Sequence, residues 1–195
     1  MKHASFAAYL GVLLLAGLSA PAEANPANVV PPTRILLVDR NEVLSHSAVG
    51  QSIMSQVKVL VLSAQGGLKA RDAALQNEGR ALQQQLAILS PAVKAAKIKA
   101  FDEQRTALQE DLQKQQNLIQ GGLLVARTQA MNALKPILQK IMIERGGTLL
   151  LDRNAAMEWL PAYDITPLAI TRLNQTVTQI KVTPTPMPEG AAPQQ

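Results

Sequence analysis

The chain contains no cysteine, which excludes disulfides, thiol catalysis and thiolate-held metals. That absence suits an oxidising compartment, where a free thiol is a liability. Histidine is almost as scarce: His3 lies at the N-terminus and His46 is the only other. One histidine leaves metal ligation to carboxylates, and no carboxylate motif of suitable spacing occurs. Ser45 and Ser47 flank His46, but a catalytic triad needs a nucleophile, base and orienting acid converging in a pocket, so a helix-surface histidine is expected. Gly66-Gly67-Leu68-Lys69 lacks the spacing of a phosphate-binding loop. The expectation is a protein that is not an enzyme and has no cofactor.

Aromatic residues make up 3% of the chain, with Phe101, Trp159 and Tyr163 the only ones after residue 24. The core must therefore use Leu, Ile, Val and Ala, and no platform exists on which nucleic-acid bases could stack. Charge is also sparse: Asp, Glu, Lys and Arg make up 17% of residues, with a net charge of +5. Such a mildly basic balance favours acidic partners, including weak contact with an anionic membrane surface. From Ser63 to Ala130 there are nine Lys or Arg against six Asp or Glu. They alternate instead of forming a stripe, which argues against specific nucleic-acid binding.

Long apolar runs are missing except at residues 6–18, preceded by Lys2-His3 and followed by Ala22-Glu23-Ala24. This pattern is that of a secretory signal peptide, residues 1–24, with an A-x-A cleavage site. No other run reaches the roughly 18 apolar residues that a spanning helix needs. Residues 25–33 hold three prolines and are expected to be a flexible lead-in.

What the chain does have is helical periodicity. Met54, Val61, Leu68, Leu75, Leu82 and Leu89 recur every seven residues, so they share one stripe of a helix. Ser90-Pro91 interrupts the pattern and fits a new helix start, with Ser as cap and Pro first in the helix. A second stripe follows, in steps of three and four, through Ile98, Phe101, Arg105, Leu108, Leu112, Gln115 and Ile119. Two such helices joined by a short break form an antiparallel hairpin whose arms reach about 60–75 Å. Its seam is expected to use Leu68, Leu75, Leu82, Leu89, Ile98, Leu108, Leu112 and Ile119. Residues 57–62 (Val-Lys-Val-Leu-Val-Leu) are apolar almost all round, the mark of a buried arm base. Pro136 should kink or restart the second helix, and Gly146-Gly147 should end it.

Gly66-Gly67 and Gly121-Gly122 interrupt the arms. Each interior glycine costs about 1 kcal/mol relative to alanine, so the pairs need a reason. One is a hinge that lets the arms splay; the other is close helix–helix approach. The stripes leave two seam registers open. One pairs Leu68 with Ile119 and sets the glycine pairs nearly opposite; the other pairs Leu68 with Leu112 and separates them, and the turn at Ser90 favours it.

Strands bracket the hairpin. Ile35, Leu36, Leu37 and Val38 form one apolar run, and Leu149, Leu150 and Leu151 another. Each reads as a strand buried on both faces, and each runs into Asp-Arg-Asn, at Asp39-Arg40-Asn41 and Asp152-Arg153-Asn154. Asp after a strand is a common turn opener, so this echo is read as one turn requirement met twice, not as paired catalytic carboxylates. A third short strand is expected at residues 156–161. Thr166 and Pro167 should start a last amphipathic helix over 168–182. Residues 183–195 are rich in proline and are expected to be disordered. The fold class is thus α+β. A small, discontinuous β-sheet body with the arm base (34–62 and 123–182) carries an inserted helical hairpin (63–122). Such a body is marginal alone and leaves sheet edges unpaired, so oligomerisation should complete it.

The order of these parts resembles the Skp/OmpH family of periplasmic chaperones. The carriers are residues 34–41 (RILLVDRN), 147–154 (GTLLLDRN) and 164–166 (DIT), spaced around the hairpin. The family implies a homotrimer in the periplasm, its body built from strands of three chains and its arms enclosing a cavity for unfolded outer-membrane proteins. Candidate client contacts are Leu118, Leu124, Val125 and Met131, with Lys94, Lys97, Lys99 and Arg105. The modest charge, the glycine pairs, Pro136 and the proline-rich tail depart from the family pattern. The rival expectation is a coiled-coil envelope scaffold or secretion adaptor that holds no client.

Overall fold

A computed structural model describes residues 32–188. The expected signal peptide, most of the lead-in and residues 189–195 lie outside that range. The described elements are β1 (Ile35–Val38), α1 (Arg40–His46), α2 (Ala48–Gln85), α3 (Pro91–Glu144), β2 (Leu149–Asp152) and α4 (Thr166–Thr176). Single 3-10 turns occupy Arg153–Ala155 and Pro161–Tyr163.

The hairpin is present, as α2 and α3 joined by a turn at residues 86–90. Local chemistry sets its ends. Ser47 caps α2 by accepting from the Gly50 N–H (3.2 Å), and Asn174 of α4 accepts from the Ala48 N–H (2.7 Å). Pro91 opens α3 after Ser90, whose hydroxyl makes no capping bond although its position is that of a cap. Gly146 ends α3 at a φ of 62°, a conformation glycine adopts without a Cβ penalty. At about 1.5 Å per residue α2 spans about 57 Å and α3 about 81 Å.

Pro136 does not restart α3, which runs unbroken from Pro91 to Glu144. It sits on an exposed position, where the lost N–H bond and ring clash are relieved toward water instead of against packed neighbours. Residues 57–62 are only partly embedded. Val57, Leu60 and Val61 are half-buried, but Val59 and Leu62 are 63% and 57% exposed, because one body layer covers only one side of α2.

β1 and β2 pair in parallel, with Leu36 opposite Leu150 and Val38 opposite Asp152. β1 is buried from Leu36 onward, whereas β2 keeps Leu149 and Leu151 exposed on one face. The expectation that both strands are covered on two faces therefore holds for β1 from Leu36 onward and not for β2, since among the described residues nothing covers Leu149 and Leu151. No third strand forms at 156–161; Leu37 instead makes one isolated bridge to Asp164. The turn at Arg153–Ala155 redirects the chain before a ladder can grow.

The core lies where β1, α1, the start of α2, the end of α3 and α4 converge. Leu36, Val43, Val49, Ile53, Leu134, Ile141 and Leu173 are at most 2% exposed. Thr166 does not cap α4 with its own side chain. Its hydroxyl accepts from the Asp39 N–H (2.9 Å), while Asp164 accepts from the Thr166 N–H (2.8 Å). Helix α4 stops at Thr176, and the chain continues without helix or strand through residue 188.

Candidate functional site

Three places bear on function: the ion cluster at the strand ends, the seam of the hairpin, and the arm base crossed by residues 177–188.

The repeated Asp-Arg-Asn segments meet at the ends of β1 and β2. Their sequence echo would set Asp39 level with Asp152, but the strands pair one residue off that alignment. The offset brings each Asp to the other motif's Arg. Arg153 donates to Asp39 (2.8 Å) and Asp164 (3.1 Å), and also to Glu42, while Arg40 donates to Asp152 (3.2 Å). Trp159 lies 5.7 Å from the Arg153 guanidinium and completes its surroundings. Hydrogen bonds to Glu42 and Asp164 raise the Arg153 pKa further above its high ordinary value. Burial pushes the Asp164 carboxyl up, but the Thr166 and Arg153 hydrogen bonds outweigh it and hold the group below its usual range. Asp152 is lowered first by the Asn154 N–H and then by Arg40. Every carboxylate here is engaged by a cation or a backbone donor, so the cluster joins β1, α1, β2 and α4 and leaves no free acid or base. His46 is exposed and contacts Ser45 (3.1 Å) and the Glu42 carbonyl (3.2 Å), an ordinary helix-surface setting.

Cross-arm contacts fix the seam register. Arg71 bonds Asp111 (2.5 Å), Glu78 accepts from Gln104 (3.5 Å), and Lys97 bonds Gln85 (2.8 Å). Leu68 then lies near Leu112, close to the register that separates the glycine pairs. Two helices alone cover a stripe incompletely. Ile119 at the base is 7% exposed, but Leu68, Leu75, Leu82, Leu89 and Leu108 are half-buried, and Ile98 and Leu112 are 38% and 44% exposed. Clefts flank the seam. One of about 260 Å³ is lined by Val57, Val61, Leu68, Leu112, Ile119 and Leu123. Another of about 570 Å³ near the tip is lined by Leu82, Leu86, Ile98 and Phe101. The tip itself shows Ile88, 84% exposed, and Val93, 44% exposed.

The candidate contact residues scatter. Lys94, Lys97, Lys99 and Arg105 are exposed along the arm; Lys97 is engaged with Gln85, and Lys99 with Glu103 (3.8 Å). Leu118, Leu124 and Val125 are half-buried, and Met131 packs against the core. Met54, the first residue of the seven-residue stripe, is 58% exposed; sequence reasoning missed Val59 and Leu62 on α2, and Met157, Trp159 and Leu160 beside β2, as exposed apolar residues. Val59 and Leu62 fall off the seven-residue stripe, a signal that could have marked them.

The glycine pairs have different surroundings. Gly66 and Gly67 face open space, with nothing within 4 Å of an added Cβ. Gly121 and Gly122 face the backbone of residues 183–186, so closely that a Cβ on Gly122 would stand 2.5 Å from the Thr183 carbonyl oxygen. That close approach is to the C-terminal segment, not to the other helix. Over 183–188 the expected disorder gives way to packing: Thr185 N–H donates to the Leu118 carbonyl (3.0 Å), and Val182 just before it is 5% exposed.

The family described as OmpH, outer membrane protein (OmpH-like), matches residues 34–173. No curated protein matches the chain at a significant level. Among solved structures, an OmpH-like candidate outer-membrane chaperone from Caulobacter crescentus is similar, with a TM-score of 0.74 and 19% identity over 80% of this chain and 92% of that one. That likeness is one of fold.

Proposed function

The chain belongs to the OmpH-like outer-membrane-protein family, and from that premise we propose that it is an exported, ATP-independent holdase acting in the periplasm. Its clients are unfolded outer-membrane proteins, kept from aggregating between helical arms. The observation that carries this reading is the incompletely covered seam. A long arm that leaves Ile98, Leu112, Ile88 and Val93 substantially open to water offers many weak apolar contacts spread along its length. Such a surface suits clients that share composition but no shape. Lys94, Lys99 and Arg105 beside it supply charge that complements acidic client segments and anionic lipid headgroups.

Assembly as a homotrimer through the body accounts for the uncovered face of β2. Ile35, Leu149 and Leu151 are 40%, 43% and 38% exposed, and Trp159 and Leu160 lie nearby in sequence. Exposed strand edges and apolar faces are liabilities that association removes.

The test is aggregation of a urea-unfolded outer-membrane β-barrel on dilution. Near-stoichiometric trimer should suppress turbidity. Unchanged aggregation would leave the scaffold or adaptor reading in its place. Light scattering with and without the unfolded barrel would then report assembly separately from client capture.

A further inference from the structure

The family match ends at residue 173, yet the chain does not stop there. After α4 residues 177–188 run back along the base of the arm with no helix or ladder of their own. Gln56 of α2 grips this strap by its backbone: its amide nitrogen donates to the Ile180 carbonyl (2.8 Å) and its amide oxygen accepts from the Val182 N–H (3.0 Å). On the α3 side, Thr185 donates to the Leu118 carbonyl, and the bare backbone at Gly121 and Gly122 admits the strap's main chain. Ile180, Val182, Thr185 and Met187 are turned inward, whereas Lys181, Thr183, Pro184, Pro186 and Pro188 are exposed. That is close to a strand's alternation, laid across two helices. A cleft of about 420 Å³, lined by Leu60, Ala64, Leu68, Ile119 and Pro184, prolongs the groove toward the seam.

We propose that this groove, formed by Gln56 and Gly121-Gly122, is a docking site for an extended polypeptide segment with alternating apolar and polar side chains, and that residues 177–188 are its resident, displaceable occupant. The identity of the incoming chain rests on the holdase reading; the groove itself does not. Recognition through main-chain bonds and a glycine floor is indifferent to sequence and asks only for extension and one apolar edge. Strands of membrane β-barrels have both properties, in segments of about 9–11 residues, close to the strap's own length. The strap is suited to leave. Prolines at 184, 186 and 188 keep it extended, so it needs little ordering when it docks, and they remove every second N–H that could bind it more firmly. An incoming strand without proline has those donors to offer.

The experiment uses the full chain, a chain ending at Val177, and that shorter chain carrying Gly122→Ala. The probes are a fluorescein-labelled peptide of residues 178–188 and a labelled ten-residue peptide of alternating valine and threonine. Fluorescence anisotropy should show both peptides binding the shortened chain at least tenfold more tightly than the full chain, and Gly122→Ala should remove that gain. Equal binding by full and shortened chains, or a gain that survives Gly122→Ala, overturns the proposal. Should the shortened chain not fold, amide exchange in the full chain decides the matter. Val182 and Thr185 should exchange faster once an unfolded β-barrel is held, and unchanged protection while aggregation is suppressed overturns the proposal. Failure to suppress aggregation refutes the holdase reading alone, since peptide binding is measured without any client.

Discussion

The two glycine pairs make opposite predictions for the same substitution. At Gly66 and Gly67 an added methyl meets nothing, so Gly66→Ala with Gly67→Ala gains helix propensity, about 1 kcal/mol each. At about 2–4 °C per kcal/mol for a domain of this size, the melting midpoint should rise by several degrees. Gly121→Ala with Gly122→Ala gains the same propensity but drives two methyls into the carbonyls of Thr185 and Thr183. Those are main-chain atoms, so the strap must lift. Lifting exposes Val182 and part of Ile180, a loss of about 2–4 kcal/mol at usual burial values. It also breaks the Gln56 and Leu118 bonds, each worth about 1 kcal/mol net. The balance is a destabilisation of about 3–5 kcal/mol after the propensity gain. Urea unfolding followed by far-UV circular dichroism, at one fixed protein concentration, reads both signs. In a chain ending at Val177 the second pair should switch sign and become stabilising. If both pairs stabilise the full chain alike, the strap contributes no packing at Gly121-Gly122 and the reasoning fails. A hinge at Gly66-Gly67 would show separately, as a narrower range of held clients in the stabilised variant.

Other outcomes follow from the body. Leu134, at 0% exposure in the core, should lose about 2–5 kcal/mol as Leu134→Ala, visible as a lower urea midpoint with an unchanged slope. Asp164 has a lowered folded pKa, held down by Thr166 and Arg153 against its burial, so it adds stability that is full above the ordinary carboxylate range and is lost as pH falls below that range toward the folded value. Unfolding between about pH 4 and pH 2 should therefore be shallower in Arg153→Met than in the parent when followed by circular dichroism; an identical pH profile would remove the ion cluster from the account. Leu149→Glu with Leu151→Glu should shift the mass from light scattering toward the monomer while helix content stays, because it charges the uncovered face of β2 and not the core.

How much of this was legible in the sequence depends on whether a feature is local. The hairpin, its turn at Ser90-Pro91, both strands and the Asp turn openers come from periodicity and turn chemistry, which a single sequence carries. The seam residues could be named, but their partial exposure could not, since it depends on how many helices share the seam. The fate of Trp159 and its neighbours turns on the tight turn at Arg153, two of whose three ion partners, Asp39 and Glu42, lie more than a hundred residues away along the chain. The strap was misjudged for a similar reason. Proline-rich sequence reads as disorder when considered alone, and its partners, Gln56 and Gly121-Gly122, belong to helices far away in the chain. The glycine pairs call for a reason on sequence grounds, and close approach is one of two, but nothing local points to the C-terminal segment instead of a helix as the partner of Gly121-Gly122.

The one-residue stagger between the Asp-Arg-Asn motifs also acts at a distance. Both strands are leucine-rich enough to slide past each other with little loss of apolar contact. Sliding by one into sequence alignment would set Asp39 against Asp152 and Arg40 against Arg153, like charge against like. A strand step is about 3.3 Å and a helix step about 1.5 Å, so the same slip, carried up the hairpin, would throw the leucines of α2 and α3 out of step by about two residues. The salt bridges at the foot therefore favour the one strand register that keeps the leucines of a seam several turns above them in step.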